Sequence, residues 1–135
     1  MSARTKARKR ALDLLFESDL RNSKASDLLF SRPASELSQE DYVVMIINGI
    51  ELNLRKIDEL ITTYAQGWDI DRMPTVDRNI MRIALYEILW GADIDDQIAA
   101  SQAIILAQEY STEESAKYIN GVLGRIIALK PSFAL

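Results

Sequence analysis

An all-α fold, a compact bundle of about seven helices, is what this chain of 135 residues predicts. Three observations carry that expectation. Glycine and proline are scarce, at five and three residues. No segment alternates strictly between apolar and polar residues, and apolar residues recur instead at spacings of three and four. The length suits a single domain over residues 1–135, large enough to bury about two-thirds of its unfolded surface without cross-links.

The elements follow in order. Ala7, Ala11, Leu14, Leu15 and Ser18 repeat at helical spacing, which predicts a first helix from about Arg4 to Arg21. Asn22-Ser23-Lys24 reads as a turn and Ser26–Phe30 as a short helix. That helix stops before Arg32-Pro33, because proline disfavours helical geometry in the preceding residue. Ser38 with Asp41 resembles a capping box with Asp in place of Glu. Val43, Ile46, Ile47, Ile50, Leu54, Ile57, Ile61 and Tyr64 then form one long stripe, either a single helix or two nearly collinear ones joined near Asn53, ended by Gly67. Pro74-Thr75 opens the next helix, with Val76, Ile80, Ile83, Ala84 and Ile88 on one side and Gly91 as its stop. Ile98–Tyr110 is apolar almost all round, the pattern of an enclosed helix or of one that self-associates. Ser111-x-x-Glu114 reads as the capping box of a last helix with Ile119, Val122, Leu123 and Ile126 inward. In it, Gly121 is expected to permit close helix approach and Asn120 to cap or bond a backbone carbonyl. Residues 130–135 are expected to be a frayed tail.

Charge is unevenly distributed. The first ten residues hold Arg4, Lys6, Arg8, Lys9 and Arg10 and no acid, while the rest of the chain holds eleven cations against twenty acids. Cations at a helix N-terminus oppose the helix dipole, at a cost of a few tenths of a kcal/mol or more. Their placement therefore points to a polyanionic ligand, nucleic acid in particular. Cysteine and histidine are both absent, which removes the thiol nucleophile, the commonest general base and the commonest metal ligand. No catalytic, metal or cofactor constellation is left, and an enzyme is not expected. No apolar run approaches the roughly 18 residues of a membrane span, and the basic start has no apolar region behind it to act as a signal peptide. A cytoplasmic protein is expected.

Three stretches carry a family resemblance. Trp68-Asp69-Ile70-Asp71-Arg72-Met73, with Val76-Asp77-Arg78-Asn79-Ile80-Met81-Arg82-Ile83-Ala84-Leu85-Tyr86-Glu87-Ile88, resembles the signature of the NusB family of transcription antitermination factors. Ser115-Ala116-Lys117-Tyr118-Ile119-Asn120-Gly121-Val122-Leu123 resembles that family's closing motif. Ala7–Glu17 resembles its arginine-rich first helix. The resemblance implies an all-helical protein that binds a boxA-type single-stranded RNA and pairs with a ribosomal protein, NusE. The pair would act in the RNA polymerase antitermination complex, chiefly on ribosomal RNA operons. It also implies RNA contact by Arg4, Lys6, Arg8, Lys9 and Arg10. Phe16 stands where many members carry tyrosine, Glu114, Lys117 and Tyr118 at further RNA-adjacent positions, and Asp77 near the NusE contact. Where the family has an Asn-Glu pair, this chain has Ser101-Gln102, followed by Ile105 and Gln108. Some members are dimers, so a homodimer is possible on the same ground.

Single-stranded RNA is read by aromatic stacking and base-edge hydrogen bonds, while phosphate contacts supply sequence-blind affinity. Phe16, Tyr64 and Tyr118 are the candidate platforms, against ordinary core packing for each. Arg72, Arg78 and Arg82 read as a structural ion-pair network with Asp69, Asp71, Asp77 and Glu87. Glu87 lies on an apolar turn and needs a donor, Arg82 being the nearest cation in sequence. Trp68 and Trp90 are expected in the core. Two alternatives stand beside the RNA reading: a protein–protein adaptor or homodimer with an incidental basic tail, and a domain of the kind fused to RNA methyltransferases.

Overall fold

The structure is a computed structural model describing residues 2–32, 40–91 and 93–135. Among these, every regular element is helical: α1 (Ala3–Arg21), α2 (Ala25–Phe30), α3 (Glu40–Tyr64), α4 (Thr75–Trp90), α5 (Asp96–Tyr110) and α6 (Glu113–Leu129), with short 3₁₀ turns at Ile70–Arg72 and Lys130–Ser132. Asn53 leaves helical geometry inside α3, at φ −111° and ψ 15°. Its amide donates to the Gly49 carbonyl at 2.8 Å, covering an acceptor at the bend. Counting the two arms of α3 separately gives seven helices. The cap expected at Ser38 lies outside the described residues.

Local chemistry sets the boundaries. Ser2 caps α1, its Oγ accepting from the Thr5 amide at 3.1 Å, and α1 ends at Asn22 in the left-handed conformation at φ 53°. Asn is one of the few non-glycine residues that tolerates that geometry. Gly67, at φ 80°, closes the turn beyond α3. Thr112, and not Ser111, caps α6: its side chain accepts from the Ser115 amide at 2.9 Å. The Ser-x-x-Glu pattern is displaced by one residue because Ser111 is committed elsewhere, donating to Asp77.

The central helix is α4. Eleven of its sixteen residues are buried, and it packs against α1, α3, α5 and α6. Ile80, Met81, Ile83, Leu85 and Ile88 are essentially inaccessible, and each such side chain contributes about 1.5–3 kcal/mol by burial. The expectation for α5 is corrected. Only Ala99, Ala100, Ala103, Leu106 and Ala107 are buried there, while Ile98 is 53% and Ile105 42% exposed. A mostly alanine inner face meets α4 and α6, with Ile104 half-buried beside it and Ile98 and Ile105 outside.

Three smaller expectations also change. Gly121 faces open space, so no close helix approach depends on it, and the side chain of Asn120 is exposed. The C-terminus is less frayed than its composition suggests, since Phe133 packs on Tyr64 with ring centroids 6.0 Å apart. Trp68 and Trp90 are half-buried against the core.

The close approach that needs glycine is at Gly49, where a Cβ would stand 2.0 Å from Cε1 of the buried Tyr86 ring. Gly49→Ala is therefore expected to lower stability by about 1–3 kcal/mol, the usual cost of overpacking. Urea unfolding reads this out, and an unchanged midpoint would contradict the packing of α3 on α4.

Candidate nucleic-acid interface

The N-terminal half of α1 carries all five cations of the opening segment, and the fold divides them into three kinds. Arg8 is 3% exposed. Its Nε donates to Glu87 Oε1 at 2.8 Å and its Nη2 to Oε2 at 2.9 Å, a bidentate pair that matches the planar guanidinium to the carboxylate. The Tyr42 hydroxyl donates to the same Glu87 carboxylate. Burial first, then that bond, raises the Tyr42 pKa far above the usual phenol range, so it stays a donor. Arg8 is thus a structural tie between α1 and α4 and drops out of the set that can meet a ligand. The donor that Glu87 requires is Arg8, not Arg82, which binds Asp58 through Nε and Nη2 at 2.9 Å each.

Arg4 and Lys9 are paired at the surface. Arg4 Nη2 lies 2.7 Å from Asp93, with the two side chains 40% and 69% exposed, and its guanidinium stands 4.8 Å over the Tyr42 ring. The Arg4 hydrogen bond holds the Asp93 carboxyl below its ordinary pKa. Lys9 Nζ lies 2.5 Å from Glu109. Thr5 donates to Gln102 at 2.7 Å, so side chains of α1 reach α5 at two levels, Thr5 on Gln102 and Lys9 on Glu109.

Lys6 and Arg10 differ from the rest. Lys6 is exposed and has no ion pair among the described residues. Arg10 is half-buried, and its Nε and Nη2 atoms are enclosed without a hydrogen-bond partner. An enclosed donor left unmet costs about 1–3 kcal/mol, so the Arg10 guanidinium is short of an acceptor. Asp13, one turn on, feels its charge, but burial outweighs that attraction and raises the Asp13 pKa.

The remaining candidates fall at three places. Phe16 is 36% exposed on α1, twelve residues and about 18 Å from Arg4 along the helix. Glu114 and Tyr118 line an open pocket of about 330 Å³ with Trp68, Thr112 and Ser115. Tyr118 meets Trp68 edge-on with centroids 4.7 Å apart and donates to the Gln66 carbonyl at 3.0 Å. Lys117 lines the neighbouring groove between α5 and α6 with Gln97, Ser101, Gln108 and Asn120. Tyr64 stands apart from this, packed by Phe133 at the end of α3. Asp77 is wholly enclosed, accepting from Ser111 at 2.5 Å and Ser115 at 2.7 Å. It presents no carboxylate to a partner and instead ties α4 to the start of α6.

Residues 5–128 match the NusB family. The chain belongs to the NusB family. The transcription antitermination protein NusB of Salinispora arenicola is 48% identical over 132 residues, covering 93% of this chain and 96% of that protein. NusB from T. maritima has the same fold at a TM-score of 0.84 and 32% identity, covering 95% of this chain and 92% of that one. A structure of antitermination factors NusB and NusE in complex with dsRNA reaches a TM-score of 0.82 at 25% identity, covering 95% of this chain and 98% of that one. The family match runs from residue 5 to 128 and so takes in most of the basic start of α1.

Several residues that shape this NusB-family surface were not legible in the chain's pattern. Tyr42, Asp93 and Glu109 act on α1 from positions 38, 89 and 100 residues away from their partners Arg4 and Lys9 at the nearest. Glu87 was visible as a carboxylate in need of a cation, but nothing local names Arg8. Arg78 and Arg82 do belong to a structural network, joined to Asp19 at 3.1 and 3.5 Å, although Asp19 is not among the acids their own neighbourhood suggests. Arg72 is exposed.

Proposed function

We propose that this chain is an RNA-binding antitermination factor that captures a boxA-type single-stranded RNA on the α1–α5 side of the bundle. It pairs there with the ribosomal protein NusE and promotes read-through by RNA polymerase, chiefly in ribosomal RNA operons. The observation that carries this reading is the exposed Lys6, without an ion pair among the described residues, beside the half-buried Arg10 on the same helix. Arg4 and Lys9 add charge from the same helix, and Phe16, Tyr118, Lys117 and Glu114 are the proposed base contacts, spread over α1 and α6. Support also comes from the related NusB found with NusE and dsRNA. Coupling RNA and NusE contacts on one scaffold raises effective concentration, so two weak contacts yield a selective complex.

Phosphate contact is tested by salt. Four cations, Arg4, Lys6, Lys9 and Arg10, each meeting one phosphate give a slope of log K against log salt near −2.8 for a labelled boxA-type RNA. Lys6→Ala with Arg10→Ala is expected to reduce that slope by about 1.4 and to weaken binding of all sequences alike. A slope near zero in the wild-type chain would sink the reading. Point substitutions are required, because deleting residues 2–10 would also remove the buried Thr5, Ala7 and Arg8.

A second reading rests on α5. Ile98, Ile105 and Tyr110 are each more than two-fifths exposed, which favours self-association through that helix. The mass of the protein in solution, with and without RNA, separates a masked α5 from a free one.

A further inference from the structure

Of the four basic side chains at the start of α1 other than Arg8, two are already taken by acids of the same chain. Arg4 is held by Asp93 at 2.7 Å and Lys9 by Glu109 at 2.5 Å. Both acids come from outside α1, Asp93 from the segment before α5 and Glu109 from its last turn. Neither has another partner among the described ion pairs, and both are largely accessible, at 69% and 45%. A buried tie such as Arg8–Glu87 holds the fold together. These two pairs contribute less to it, because the acid of each is open to solvent, although the Lys9 side chain is only 15% exposed. Their geometry has a different effect. Each carboxylate occupies the donor face of a cation that a phosphate would otherwise meet.

We propose that Asp93 and Glu109 are internal competitors for RNA phosphate, limiting the affinity of the basic helix by holding Arg4 and Lys9 until a backbone displaces them. This rests on the RNA-binding reading above and deepens it. Carboxylate and phosphate oxygens compete for the same guanidinium and ammonium donors, so every phosphate bound at Arg4 or Lys9 must break an existing pair. Lys6 takes phosphate without displacing any acid, and Arg10 does so once its enclosed guanidinium turns outward. The penalty is blind to bases, since phosphate contacts carry no sequence information. It weakens all RNA binding equally and leaves recognition to whatever reads the bases. A binder restrained in this way rejects arbitrary RNA that offers backbone alone.

The test compares the wild-type chain with the D93N/E109Q variant, using a labelled boxA-type RNA and a labelled polyuridine of equal length near physiological salt. Each released pair is worth roughly 1.4- to 5-fold, so the variant is expected to bind both RNAs about 2- to 25-fold more tightly. The salt slope should stay at the wild-type value, because the same phosphates are met. The melting temperature serves as the check on folding and should stay within about 2 °C, as befits pairs whose acids are open to solvent. A D27N/D71N variant makes the same charge change on other elements and should bind like wild type. The proposal is overturned if D93N/E109Q binds no tighter, if D27N/D71N tightens as much, or if the gain is confined to one RNA. When neither wild type nor D93N/E109Q binds any RNA, the RNA reading itself fails and takes the proposal with it. Binding by the wild type with no gain in the variant defeats the proposal alone.

Discussion

Glu87→Ala is expected to destabilise the protein by about 3–5 kcal/mol, the largest effect of any single substitution considered. The change leaves the Arg8 guanidinium, 3% exposed, without its carboxylate in the middle of the bundle, and strips the Tyr42 hydroxyl of its acceptor. For a chain of this size the melting temperature should fall by roughly 10–20 °C. The informative companion is the double variant Arg8→Met/Glu87→Leu, which removes both charges at once. Replacing a whole buried ion pair with apolar groups is often neutral or stabilising, so most of the lost stability should return. The same double variant separates the two roles open to Arg8. If Arg8 only ties α1 to α4, it keeps the wild-type RNA affinity and salt slope. A slope reduced by about 0.7 would instead return Arg8 to the phosphate-contacting set. A loss below about 1 kcal/mol in Glu87→Ala would mean that water reaches the pair and that the helix start is not anchored as described.

The second large effect is at Asp77. Asp77→Ala removes an enclosed carboxylate that accepts from both Ser111 and Ser115, and hydrogen bonds to a charged group are worth about 1.5–3 kcal/mol. Stability in urea should fall by that amount, with α6 and its Thr112 cap loosened first. Asp77→Asn keeps the shape and can still accept one of the two bonds, so the loss should be smaller. NusE affinity measured on folded Asp77→Asn then decides what the residue does. If it binds NusE as wild type does, the carboxylate is an internal fastening. If binding is lost while urea stability stays at the wild-type value, Asp77 is a direct contact and its enclosure in the fold is misjudged.

How far the chain could be read from its sequence depends on the range of the interactions involved. Helix identity was legible because three- and four-residue spacing is a local property. Ala7, Ala11, Leu14, Leu15 and Ser18 are all buried as their spacing implies, and Asn53 does break the long helix. The reading of α5 went wrong because hydropathy weighs Ile above Ala. A close helix contact prefers the small side chain, so the Ala face turned inward while Ile98 and Ile105 stayed out. The α6 cap moved by one residue because a distant acid, Asp77, engages Ser111. The basic segment was visible as composition, yet composition could not sort five cations into one structural residue, two paired ones and two others. That division is made by Glu87, Asp93 and Glu109, from elements 79 to 100 residues along the chain. Asp77 shows the same limit. Family likeness placed it near a partner, whereas its solvent exposure is set by two serines on another part of the fold.

The Arg8 anchor has a thermodynamic corollary. With its second turn bolted to the centre of the bundle, the leading stretch of α1 is ordered in the free protein. Freezing a disordered arm on contact would cost about 1–2 kcal/mol for every residue immobilised. No such entropy loss falls on association here, and a polyanion meeting this tip docks onto a preorganised surface as one rigid body meets another.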